Sequence, residues 1–252
     1  MDDKVPVGLA RLWRLPTESR LGRPAELDVE QVVRAAVELA DRDGLAGVTL
    51  AKVAKELGYT TMSLYRHVGS KEELLVLMGD AATGPAPDVP AGPAQWRAGL
   101  RQWAYGIRAR HARHTWLPHV PISGPPSGPN AVSWMDACLC ALRGTGLDWG
   151  QKVGIMTLLS GYVRSSSQLS LDMAEGRRGS GLEQPQVEQA YGRALAGLVD
   201  AERFPEAAAL FASGLFEAPP PSDPELADFE FGLDVILDGV AAAIRAAEHV
   251  GS

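Results

Sequence analysis

Apolar residues recur at steps of three and four along nearly the whole chain, and no segment alternates with the period of two that a half-buried strand needs. Val29, Val33, Ala36, Val37 and Ala40 set a first stripe over residues 28–43, with Asp28 as N-cap and Gln31 at the capping-box position. Leu50, Val53, Ala54 and Leu57 set a second, behind an N-cap at Thr49, and Gly58 supplies the left-handed position that ends it. A helix of about two turns follows over 61–67, with Leu64 and Val68 turned inward. Ser70-Lys71-Glu72-Glu73 reads as a capping box that opens a further helix to about residue 82.

The segment 83–93, TGPAPDVPAGP, breaks the pattern and marks a domain boundary. Beyond it, Trp96, Leu100, Trp103, Ile107 and His111 share one face of a helix over 94–113, and 121–130 is a rigid Pro/Gly loop. A helix over 130–144 lines up Val132, Met135, Leu139 and Leu142. Residues 148–173 are apolar on two faces, as in a helix lying between packed layers or inside an oligomer interface. The composition of 175–185 predicts a mobile loop, followed by helices near 185–200 and 205–215. A last helix, 224–248, repeats Leu226, Phe229, Leu233, Ile236, Val240 and Ile244. The pattern predicts an all-α fold: an N-terminal basic arm over 1–27, a helix-turn-helix domain over 28–82, and a larger helical domain over 83–252.

Residues 49–75 carry the most specific chemistry. Two short helices joined by a glycine turn present Thr61, Met62, Ser63, Tyr65, Arg66 and His67 outward, a set able to touch bases and phosphates. The ordered set Ala54-Lys55-Glu56-Leu57-Gly58, Leu64-Tyr65-Arg66-His67-Val68 and Ser70-Lys71-Glu72-Glu73-Leu74-Leu75 resembles the DNA-binding domain of the TetR family of bacterial one-component regulators. More loosely, His114-Thr115-Trp116-Leu117, Gly128-Pro129-Asn130-Ala131 and Gly161-Tyr162-Val163 are similar to the ligand domain of the tetracycline-repressor branch.

The resemblance implies a DNA-binding surface made of Thr49, Lys52, Thr60, Thr61, Met62, Ser63, Tyr65, Arg66, His67 and Lys71. In it Thr61, Met62 and Ser63 approach bases, Tyr65 and His67 hold phosphates, and Lys71 contacts the backbone at a helix N-terminus. Where that branch has a guanine-reading arginine, this chain has Ala51, so an operator sequence does not carry over. The resemblance also implies a homodimer through a four-helix interface of the 148–173 and 224–248 helices, whose plainer reading is ordinary core. Repression of a near-palindromic operator, relieved by a small-molecule effector, is the function it implies.

The net charge of −7 argues mildly against a nucleic-acid partner, but its distribution corrects the total. Residues 49–71 hold Lys52, Lys55, Arg66 and Lys71 against Glu56 alone. Residues 4–23 hold Lys4, Arg11, Arg14, Arg20 and Arg23 against Glu18 alone; Arg20 and Arg23 suit a minor-groove or phosphate arm, and a disordered basic tail is the competing reading. Cys138 and Cys140 face apart on a helix, which disfavours a disulfide or a shared metal and fits a reducing, cytoplasmic setting. No apolar run reaches the ~18 residues of a membrane span. Nineteen arginines against five lysines hint at a GC-rich bacterial source.

Effector candidates are Trp103, His111, Met135, Met156 and Tyr162, which suit a largely apolar ligand. His111 reads equally as a satisfied core histidine, and His111, His114 and His119 lack the carboxylate or cysteine that would complete a metal set. No cofactor is expected, and no nucleophile elbow, phosphate loop, zinc motif or dinucleotide turn points to an enzyme. A small-molecule carrier and an effector-independent DNA-binding protein remain the alternatives.

Overall fold

Asp28 Oδ1 accepts from Gln31 N at 2.8 Å while Gln31 Oε1 accepts from Asp28 N at 2.9 Å, so the first long helix opens on a complete capping box. The computed structural model describes residues 5–15, 27–178 and 184–250, and every regular element among them is a helix. Contacts group the chain into two compact units, residues 1–167 with 235–252, and residues 168–234.

The first unit begins with a helix absent from the sequence expectation. Within the segment read as a basic arm, Val7–Leu12 form α1, whose Leu12 is buried. Six residues cannot hold a helix alone, and α1 is held from outside: Arg11 pairs with the Glu73 carboxylate and Arg14 Nε donates to Glu30 at 2.5 Å. Lys4, Arg20 and Arg23 lie outside the described residues.

Next come α2 (Val29–Asp43), α3 (Leu50–Leu57), α4 (Thr61–Val68) and α5 (Lys71–Thr83). Val32, Val33, Val53, Leu64, Val68 and Leu74 close their shared core at 0–1% exposure. On α2 the innermost positions include Val32 and Leu39, while the expected Val29 and Val37 are only half-buried. Gly58 adopts φ 75°, ψ 24°, and Tyr59 N donates back to Ala54 O at 2.9 Å, the left-handed exit its sequence predicts.

α6 (Trp96–Arg113), α7 (Pro129–Ala141) and the first part of α8 (Trp149–Arg178) extend this unit. α6 buries Leu100, Trp103 and His111 as its spacing predicts. α7 differs in part: its buried residues are Trp134, Cys138 and Ala141, and of the line expected here Leu142, just past its end, is fully buried while Val132, Met135 and Leu139 are half-buried. Trp103 sets this phase by donating its indole N–H to Trp134 O at 2.7 Å and meeting the Trp134 ring edge-on at 6.2 Å.

The second unit holds the remainder of α8, then α9 (Gln184–Ala196), α10 (Pro205–Ala212) and the start of α11 (Pro224–Val250). Tyr191, Phe211 and Phe216 form its aromatic cluster, with centroids 5.4–5.7 Å apart. α8 continues to Arg178, past the loop start expected at 175, and there Arg177 pairs with Glu225 at 3.2 Å. Residues 179–183 of that expected loop lie outside the described residues.

Candidate DNA-binding interface and effector core

The inner face of α4 is fixed by Leu64 and Val68, both fully buried, so its remaining residues must turn outward. Thr60 caps α4 through Ser63 N at 3.3 Å, and its hydroxyl lies 3.0 Å from Ser63 Oγ. Met62 stands 73% exposed and Tyr65 45% exposed. Arg66 is exposed beside them, and Thr61, Ser63 and His67 are half-buried at the rim.

The flanks add charge. Thr49 caps α3 by accepting from Lys52 N at 3.2 Å, leaving Lys52 pointing outward. Glu56, the single acid of residues 49–71, is held by Arg42 of α2 at 2.7 Å. Lys52, Lys55 and Arg66 therefore carry no carboxylate partner among the described residues, while Lys71 lies beside Glu72 at the start of α5. The arrangement is an exposed row of hydroxyls, an apolar tip and uncompensated cations on one short helix and its neighbours, the chemistry that contacts a duplex through phosphates and base edges.

The capping box expected at Ser70 is only half formed. Ser70 Oγ accepts from Glu73 N at 3.1 Å, but the Glu73 carboxylate turns to Arg11 of α1 instead of returning to the cap. Arg11 also lies against Gly69, the turn between α4 and α5. The basic N-terminal segment is thus partly spent on carboxylates of the domain itself.

Two polar clusters that the sequence does not announce tie the helix-turn-helix to the helices beyond it. Asp41 Oδ1, on α2, lies 2.8 Å from His114 Nδ1 and accepts from the buried Trp116 indole at 2.6 Å. Asp80, on α5, accepts from Ala131 N at 2.9 Å and from Asn130 Nδ2 at 3.2 Å, and so caps the start of α7. The only sequence hint of either was the His-Thr-Trp and Pro-Asn-Ala words already quoted.

The five effector candidates fall on α6, α7 and α8. Trp103, His111 and Met156 are buried, and Met135 and Tyr162 half-buried. His111 Nδ1 lies 2.9 Å from Ser167 Oγ, which joins α6 to α8. Burial first, then the nearby Arg164 and His119, push its pKa down to about 4, so the ring is neutral at pH 7. The three histidines weighed for a metal diverge: His111 meets Ser167, His114 meets Asp41, and His119 is exposed. Cys138 and Cys140 are both free thiols, and burial pushes Cys138 up to about 12. Among the described residues no helix is long and apolar enough to cross a membrane.

Comparison with known proteins agrees with this geometry. The family model for bacterial regulatory proteins of the tetR family matches residues 32–78, and that for the tetracyclin repressor-like C-terminal domain matches residues 89–244. The HTH-type transcriptional repressor DrrR1 of Streptomyces coeruleorubidus is 35% identical over 94% of this chain and 85% of its own length. The class A tetracycline repressor protein from transposon 1721 of Escherichia coli is 28% identical over 86% of this chain and 91% of its own. Among solved structures, the Streptomyces coelicolor TetR family protein ActR in complex with actinorhodin superposes with a TM-score of 0.71 at 26% identity, covering 87% of this chain and 97% of that one. The helix-turn-helix, the two matched domains and these full-length likenesses make one statement: the chain belongs to the TetR family, a DNA-binding transcriptional regulator and not an enzyme.

Proposed function

We propose that the protein is a one-component repressor that binds a near-palindromic operator as a homodimer and leaves it when a small-molecule effector binds. The observation that carries this reading is the largely uncompensated row from Thr49 to Lys71, presented by helices whose inner faces are fully buried. In it Thr61, Met62 and Ser63 approach base edges, and Tyr65 and His67 lie along the phosphates. Thr49, Lys52, Thr60 and Arg66 flank them, and Lys71 contacts the backbone at the start of α5. A relative named as a transcriptional repressor spans nearly the whole chain, which supports repression over activation.

A single two-turn helix binds weakly, so two copies are needed, with half-sites roughly 34–36 Å apart. Trp149, Val153 and Leu158 of α8 and Val235 of α11 remain exposed in one copy. Covering them with the same helices of a second copy removes that apolar surface from water.

The effector, largely apolar, sits among Trp103, His111, Met135, Met156 and Tyr162. A family member solved with a bound small molecule supports a ligand-responsive role. Its binding shifts α7 relative to α5 through Asp80, and α5 begins where α4 ends, so the spacing of the two recognition helices changes. Release requires the effector to prefer the unbound form, with a coupling of about 1–3 kcal/mol. The cytoplasm is the compartment this role requires.

Fluorescence anisotropy on DNA from the upstream region of the protein's own gene, against scrambled DNA at equal ionic strength, tests the reading. Specific binding abolished in Tyr65→Ala and Lys71→Ala supports it, and equal binding to both DNAs refutes it.

A further inference from the structure

Glu73 is the third residue of α5, the position from which a glutamate reaches back to the backbone N–H of its own N-cap. Here Arg11 of α1 holds that carboxylate elsewhere. The Ser70 N–H it leaves alone donates instead to Val68 O, at the end of the recognition helix α4, at 2.8 Å. One N–H thus has two candidate acceptors, and Arg11 withdraws one of them.

Gly69, the residue between, has φ 72° and ψ −64°. Together with the Ser70 N–H to Val68 O bond, those angles make it the centre of a γ-turn of the rare, strained hand. Such a conformation persists only where its surroundings over-determine it, and the Arg11 guanidinium stands directly against Gly69. The rest of α1 serves to put it there. Arg14 Nε donates to Glu30 at the start of α2 at 2.5 Å, and the Trp13 indole N–H donates to Ser127 O at 2.7 Å. Apolar packing under α1 is incomplete, with a cavity of about 260 Å³ among Leu9, Leu12, Val76 and Leu77. Polar contacts at its C-terminal end therefore fix the helix.

We infer that Arg11 is a positioning residue for operator recognition: by drawing Glu73 off the Ser70 N–H it keeps the Gly69 turn closed, and so sets the angle between α4 and α5. It does this without touching DNA. The inference rests on the DNA-binding reading above. Without Arg11 the Glu73 carboxylate returns to the Ser70 N–H, completes the capping box and opens the turn. α5 stays well capped in that exchange, so the fold survives while α4 is re-aimed.

The test measures operator affinity of full-length variants by anisotropy on the upstream DNA, over a range of salt and beside thermal unfolding. Arg11→Ala and Glu73→Ala delete the same ion pair, yet only the first leaves a carboxylate free to open the turn. Arg11→Ala therefore weakens operator binding by about tenfold, while Glu73→Ala stays within about threefold of wild type. Adding Glu73→Ala to Arg11→Ala recovers most of the loss. The slope of log Kd against log salt in Arg11→Ala matches the wild type, because no phosphate contact is lost.

Equal losses in the two single variants, unchanged affinity in Arg11→Ala, or a double variant no better than Arg11→Ala overturns the inference. An Arg11→Ala slope shallower by about one or more marks a direct phosphate contact and overturns it too. If Arg11→Ala does not fold, Glu73→Ala decides: affinity near wild type supports the turn, and a loss of about tenfold overturns it. A wild-type protein that prefers no operator over scrambled DNA refutes the repressor reading itself, and the inference falls with it.

Discussion

Asp41 and Trp116, 75 residues apart, are joined by an indole N–H to carboxylate bond of 2.6 Å, and the same oxygen lies 2.8 Å from the buried His114 ring. One atom of the first helix of the helix-turn-helix therefore anchors the corner that follows α6. Asp41→Ala strands two donors away from water, at roughly 1–3 kcal/mol for an unsatisfied buried group. We expect a urea midpoint lower by a corresponding amount, with Asp41→Asn, which keeps an acceptor, falling between the two. A midpoint within error of wild type for Asp41→Ala would remove this anchor from the account.

Gly69 has φ +72°, and a Cβ there would come within 2.5 Å of both Arg11 Nη1 and Glu73 Oε2. Gly58 has a similar φ of +75° with nothing in the way. Gly58→Ala therefore costs only the left-handed strain, roughly 1 kcal/mol, while Gly69→Ala must also displace the Arg11–Glu73 pair and costs roughly 2–4 kcal/mol. Paired denaturation curves check the ranking, and the reverse order contradicts it.

His111 makes stability fall with acid in a defined window. Its pKa is about 4 in the folded chain against an ordinary 6.5. As pH falls through 6.5 the unfolded chain takes up a proton that the folded one refuses. Folding then loses up to about 3 kcal/mol by pH 4. His111→Asn removes that part of the slope, so the stability gap between wild type and variant narrows from pH 7 to pH 4.5. A constant gap across the range would show that His111 does not titrate this way.

Met62 separates DNA contact from folding. At 73% exposure it contributes almost nothing to the core, so Met62→Ala leaves stability within about 0.5 kcal/mol. Operator affinity should nevertheless drop by roughly 1 kcal/mol if the thioether meets a thymine methyl. Anisotropy with thymine replaced by uracil at single operator positions identifies the partner: the sensitive position loses its effect in the variant.

What the sequence made legible was local. Asp28 with Gln31, Thr49, Gly58 and the buried pair Leu64 and Val68 announce the helix-turn-helix because caps and stripes act within one or two turns. α7 was partly misphased because Pro129–Ala141 is apolar on most of its circumference, and periodicity cannot choose a face that Trp103 selects from another helix. The half-formed cap at Ser70 and the helix Val7–Leu12 have one cause, an Arg11–Glu73 pair spanning 62 residues.

The pairing of Arg11 and Arg14 also bears on how ionic strength will govern this protein. The steepness with which DNA affinity falls as salt rises counts the phosphate-neutralising cations that release condensed counterions. Arg11 and Arg14 already spend their charge on Glu73 and Glu30, so they add little to that count. In the interface proposed above, that count falls to Lys52, Lys55, Arg66 and Lys71 rather than to Arg11 and Arg14.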